Sequence, residues 1–199
     1  MSNDWIDSVG RMGATPAPRG LAEPLAVMQL ALRSPGEAKV RYSNYRFSRL
    51  VASRLQLDDL DMASFPEILE LDLASPSMQQ SRPFNYQLRY VVAGYGLQTL
   101  FNDDGPGPYH HAIRPTGYDF HLDVVLPAAM ERWRADYRRM AHHRQMLAAS
   151  IIWLYRGRKD SSWLRRVPCT WNVVDALEAL RSARAIADWG RLFALYRGW

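Results

Sequence analysis

The strongest constraint on how this chain can fold lies after Pro127. Placed at about 100° per residue, Met130, Trp133, Tyr137, Met140, Leu147 and Ile151 fall into one sector of a helical wheel. Pro127 sits where a helix accepts proline, in its first turn. The spacing predicts a single amphipathic helix of roughly five turns or more, with an apolar side that the rest of the chain must cover. Its other side carries two columns, Arg134/Arg138/His142 and Arg132/Arg139/His143, against only Glu131 and Asp136. Arg144 falls inside the apolar sector. An unpaired charge is costly there, so this residue must pair, snorkel or point into a cleft.

A chain of 199 residues suits one domain, or one domain with an arm, and can bury roughly two thirds of its unfolded surface. Cys169 is the only cysteine, which excludes an internal disulfide and a cysteine-based zinc site and favours a reducing, cytoplasmic compartment. Following Pro168, it reads as a small buried hydrophobe, since only Arg165 and Arg166 nearby could favour an activated thiolate. No apolar run reaches about 18 residues and the N-terminus lacks a basic-then-apolar leader, so we expect a soluble protein with no membrane partner.

Residues 1 to 23 hold glycines and prolines without an apolar period and read as a flexible N-terminal arm, with Trp5 and Ile6 as its adhesive side chains. Residues 24 to 199 read as a single domain. PLAVMQLALRS predicts a short helix with Pro24 in its first turn. Ser43 is placed to cap a second helix reaching about Leu55, with Phe47, Leu50 and Val51 inward and Arg46, Arg49 and Arg54 outward. FPEILELDLAS fits a helix or a strand. YQLRYVV, residues 86 to 92, has the Tyr and Val richness of a strand, and Tyr118 to Val125 reads as another. SIIWLYRGR continues as a helix end or as a strand stopped at Gly157. A last helix is capped near Asn172 and runs to Gly190, before an aromatic tail of Phe193, Tyr196 and Trp199. The expected fold is α+β: a small antiparallel or mixed sheet built from segments 86 to 92 and 117 to 125, covered by amphipathic helices.

Catalytic signals are sparse. Gly94-x-Gly96 follows an expected strand, but Thr99 occupies the third glycine position of a dinucleotide fingerprint and GPGP follows, so a glycine turn or bulge is expected. There is no phosphate-binding GxxxxGK[ST] and no GxSxG elbow. On a strand from Tyr118 to Val125, Asp119, His121 and Asp123 would share one face. Neighbours about 6.5 Å apart along that strand could hold one divalent metal ion through His121 and one aspartate. The alternative is a solvated sheet face. His110 and His111 follow the GPGP turn, where a loop could present them as acid or base or leave them as plain surface. Asn102, Asp103 and Asp104 lack the spacing of a calcium loop and read as a turn.

The densest functional signal is ERWRADYRRMAHHR, with five arginines and two histidines. All basic residues except Lys39 and Lys159 are arginine, a skew that GC-rich coding can generate, so where they sit matters more than the formal net charge of +5. Gathered on one helix face, Arg132, Arg134, Arg138, Arg139, His142 and His143 have the density that attracts phosphates. A second basic run, RGRKDSSWLRR, adds Arg156, Arg158 and Trp163. The leading expectation is therefore a DNA- or RNA-binding accessory or regulatory protein without a cofactor. Two others stand beside it. One is a metal-dependent nuclease or other phosphoester hydrolase using Asp119, His121, Asp123 and a divalent ion. The other is a structural or inhibitory protein that meets a protein partner through the arm or the aromatic tail.

Overall fold

Segment 86 to 92 is helical, and its burial pattern shows why. The computed structural model describes residues 20–71, 83–103, 105, 107–119, 122, 124–156 and 171–196. In it Phe84, Gln87, Leu88, Val91 and Val92 are buried while Tyr86, Arg89 and Tyr90 are exposed. That is the i, i+3, i+4, i+7 pattern of a helix, and it prevails over the strand preference of Tyr and Val taken singly. The expected α+β fold is thus corrected to a mostly helical one. The described helices are α1 (Glu23–Arg33), α2 (Pro35–Arg41), α3 (Phe47–Ala52), α4 (Asp59–Ala63), α5 (Phe65–Ile68), α6 (Pro83–Gly94), α7 (Tyr109–Ala112), α8 (Pro127–Arg139), α9 (His142–Arg156), α10 (Val173–Ser182) and α11 (Ile186–Leu195).

Extended structure among the described residues is confined to two small antiparallel pairs. β1 (Phe101–Asn102) pairs with β2 (Arg114–Pro115), placing Asn102 opposite Arg114. β3 (Tyr118–Asp119) pairs with β4 (Val124–Val125), placing Tyr118 opposite Val125. Tyr118 to Val125 is therefore a hairpin and not one strand. Gly117, at φ 89°, lets this hairpin meet α8 closely: a Cβ there would stand 2.8 Å from the Met130 Cα and 2.9 Å from its nitrogen.

The long helix expected after Pro127 is two helices. Met140 leaves helical geometry at ψ 150°, and α9 restarts at His142. Gln145 holds the break, donating from Nε2 to the carbonyls of Tyr137 at 2.9 Å, which also accepts from the Met140 nitrogen, and of Met140 at 3.1 Å. Met130, Trp133 and Tyr137 in α8, Met140 at the break, and Leu147 and Ile151 in α9 are nonetheless all buried.

The core is centred on Trp189, which is fully buried and donates from Nε1 to Ser150 Oγ at 3.1 Å. Phe47, Phe65 and Phe193 surround it, with Phe65 stacked on Phe193 at 5.0 Å. Phe193 and Tyr196, expected in an aromatic tail, are thus core residues. The Tyr196 hydroxyl donates to the Leu154 carbonyl at 2.7 Å, and burial pushes its phenol up to about 12. Arg54, expected outward, is buried and donates to the carbonyls of Phe193 at 2.9 Å and Tyr196 at 2.7 Å. Asn172 caps α10 as expected, its side chain accepting from the Val174 nitrogen at 2.8 Å. The helix expected to reach Gly190 instead breaks at Ala183 and Arg184, and Gly190 lies inside α11. Trp5, Ile6, Arg158, Trp163, Cys169 and Trp199 lie outside the described residues.

Candidate nucleic-acid interface

α8 presents Met130, Trp133 and Tyr137 to the core. This rotation leaves Arg132, Arg138 and Arg139 exposed on the other side. Arg139 has a side chain 79% exposed and meets Asp136 one turn back at 3.6 Å, an exposed pair of little consequence for stability. Arg134 flanks the apolar stripe and is half-buried. Its Nε is buried with no hydrogen-bond partner, so its guanidinium is less open to solvent than those of its neighbours.

The break at Met140 dissolves the two columns expected on a continuous helix. His142 is exposed at the start of α9, whereas His143 is half-buried with its ring edge-on to Tyr95 at 6.2 Å. Burial, and then the neighbouring Arg144 charge, hold the His143 imidazole below its ordinary value. Tyr95 donates its hydroxyl to Asp188 Oδ2 at 2.7 Å, and burial followed by that bond keeps its phenol protonated well above the usual range. Arg144 resolves its placement in the apolar sector by donating from Nη2 to the Gly96 carbonyl at 2.6 Å. Arg156 ends α9.

The row of the metal-dependent alternative needs a continuous strand, whereas β3 ends at Asp119 and pairs back with β4. Asp119 lies in β3, and its Oδ1 accepts from the Leu122 nitrogen at 3.1 Å within the hairpin. His121 and Asp123 lie outside the described residues. Among the described residues no three His, Cys, Asp or Glu side chains converge on a metal-sized site. His110, in α7, is held by Asn85 through both its backbone nitrogen and its ring Nδ1.

Sequence reasoning missed the residues on the outer face of α6. Tyr86, Arg89 and Tyr90 share it, and the Arg89 guanidinium lies over the Tyr109 ring at 4.6 Å, a cation–π contact. Their i, i+3, i+4 spacing was the available signal, hidden by the strand preference of the same segment. No protein-family model, curated protein or solved structure matches the chain. No helix among the described residues is long and apolar enough to cross a membrane.

Proposed function

We propose that this chain is a nucleic-acid-binding accessory or regulatory protein that contacts phosphates through the outward face of α8. One observation supports the reading above others: Arg132, Arg138 and Arg139 stand exposed together on a helix whose opposite side is locked into the core. A rigid helix holds cationic side chains at fixed spacing without an ordering cost for the backbone, and guanidinium forks suit phosphate oxygens. Each phosphate neutralised releases counterions, so binding of this kind weakens steeply with salt and is indifferent to base identity.

The test is to change Arg132, Arg138 and Arg139 together to Gln, a comparable helix former. The salt dependence of binding to an unrelated-sequence duplex is then measured by fluorescence anisotropy. The parent should bind with a Kd on the order of 10⁻⁴ to 10⁻⁶ M near physiological salt. The variant should show a slope of log K against log salt shallower by about 0.9 for each phosphate that is no longer neutralised. Arg138 and Arg139 also lie in the last turn of α8, where positive charge favours the helix dipole, so the melting temperature is followed in parallel. A parent without salt-sensitive binding, or a folded variant with an unchanged slope, overturns the proposal.

A further inference from the structure

Beside α6, a recess of about 330 Å³ opens to solvent and is lined by Val92, Phe101, Gln98, Asn102, Asp103 and Tyr109. Its volume lies at the small end of ligand sites. Val92 and Phe101 supply an apolar floor, and two carboxamides and a carboxylate supply directional polar groups. The Tyr109 ring has Arg89 over one face. Burial, then the Asp103 charge, raise the Tyr109 phenol and the Arg89 charge lowers it, so both charges act on the Tyr109 hydroxyl. Arg114 stands opposite Asn102 across the β1–β2 pair.

Next to the recess, across the Arg89 column, two large aromatic side chains face water. Tyr86 is 61% and Tyr90 48% exposed, four residues apart on one helix face. Gly94 lies one turn further along, beside the Tyr90 ring. Exposed tyrosines next to an arginine, beside a recess with hydrogen-bonding groups, are the components of a surface for unpaired bases. Stacking on aromatic rings is tolerant of sequence, and side-chain amides and carboxylates read base edges. The Gln98–Leu100 turn contributes Gln98 to the recess, and its Leu100 carbonyl accepts from Trp133 Nε1 at 3.1 Å, on the core-facing side of α8.

Resting on the nucleic-acid reading of α8, we propose that the outer face of α6 and its recess bind a single strand. Bases stack on Tyr86 and Tyr90, and one base carrying an exocyclic amine, cytosine in the simplest case, donates that amine to Asp103. The Asp103 carboxylate accepts from the cytosine N4 amine and opposes the O4 carbonyl of thymine, two bases of the same size.

The experiment uses the full chain and fluorescently labelled twelve-nucleotide oligo(dC), oligo(dT), oligo(rC) and a duplex of equal length. Four proteins are compared: the parent, Tyr86→Gln/Tyr90→Gln, Asp103→Asn, and the α8 triple variant. The parent should prefer oligo(dC) over oligo(dT) by at least about fivefold, and Asp103→Asn should abolish that preference. The tyrosine pair, both exposed and so dispensable for folding, should weaken both single-stranded DNAs by about tenfold or more while leaving duplex affinity unchanged. Equal binding of oligo(rC) and oligo(dC) is expected, because none of the contacts invoked reaches the sugar 2′ position. If the duplex binds in an α8-dependent way but the tyrosine pair has no effect on single strands, or weakens the duplex equally, this inference fails and the α8 proposal stands. If the parent binds none of the probes, both fail. Should Asp103→Asn prove insoluble, the tyrosine pair alone decides.

Discussion

Arg144 Nη2 donates to the carbonyl oxygen of Gly96 across 2.6 Å, tying the first turn of α9 to the turn that ends α6. Gly96 has φ 61°, and a Cβ added there would lie 2.9 Å from the same Nη2. Gly96→Ala thus adds a left-handed penalty and pushes the guanidinium off its acceptor. We expect a loss of about 2–3 kcal/mol in urea denaturation. In an Arg144→Met background the bond is already absent, so the same change should cost only about 1–2 kcal/mol. Equal costs in the two backgrounds would show that the pair is not coupled.

His143 gives the fold a pH dependence of defined sign. Its folded value is depressed by burial, then by Arg144, so the unfolded chain takes up the proton more readily. Stability is therefore intact above about pH 6.5, the ordinary histidine value, and falls as the pH drops below it. The Tyr95 ring that it faces carries a phenol held protonated throughout this window. His143→Gln cannot titrate, and its melting temperature should fall less than the parent's between about pH 7 and pH 5. Parallel profiles for the two proteins would contradict this.

Where local chemistry coincided with tertiary demand, the fold was legible from the residues. Pro24 and Pro127 begin helices, Asn172 caps one, and Phe47, Leu50 and Val51 face inward. Errors arose where two signals competed. In α6 the Tyr and Val content favoured a strand while Leu88, Val91 and Val92 followed the helical period, and the period prevailed. The breaks at Met140 and at Arg184, which takes φ 56°, fall on residues that do not mark helix ends. They are set by Gln145, distant in the turn count, and by packing. Gly190 suggested a stop, yet it stays inside α11, where a Cβ would meet Leu69 Cδ1 at 2.6 Å. The α8 arginines were legible because the apolar stripe fixes the opposite face. The recess beside α6 was not, since it joins residues from Val92 to Tyr109 that no periodicity brings together.

Arg54 replaces a conventional closing contact at the C-terminal end of α11. Its Nε and Nη2 satisfy the carbonyls of Phe193 and Tyr196 in a buried setting, with the guanidinium 5.9 Å from the Phe193 ring. Arg54→Met keeps most of the volume and leaves both carbonyls without these donors. The expected loss is about 2–4 kcal/mol, with the last turn of α11 exchanging its amide hydrogens fastest. A variant as stable as the parent would mean that water or another side chain replaces the guanidinium.

Gln145 determines whether the arginine face ends where it does. Its Nε2 donates to the Tyr137 and Met140 carbonyls, which an unbroken helix would have paired with amides of the following turn. Gln145→Met preserves length and apolar packing but removes both donations. We expect about 1–3 kcal/mol of destabilisation, concentrated at the junction. Hydrogen exchange should quicken for residues 137 to 141 while α10, which packs on α9, keeps its protection. Because Arg138 and Arg139 stand on that last turn, fraying should loosen the spacing that the proposed phosphate contacts need. Duplex affinity should then fall even though no charge has been removed. Weaker duplex binding with no change in exchange at the junction would separate the two effects and show that Gln145 acts on binding by another route.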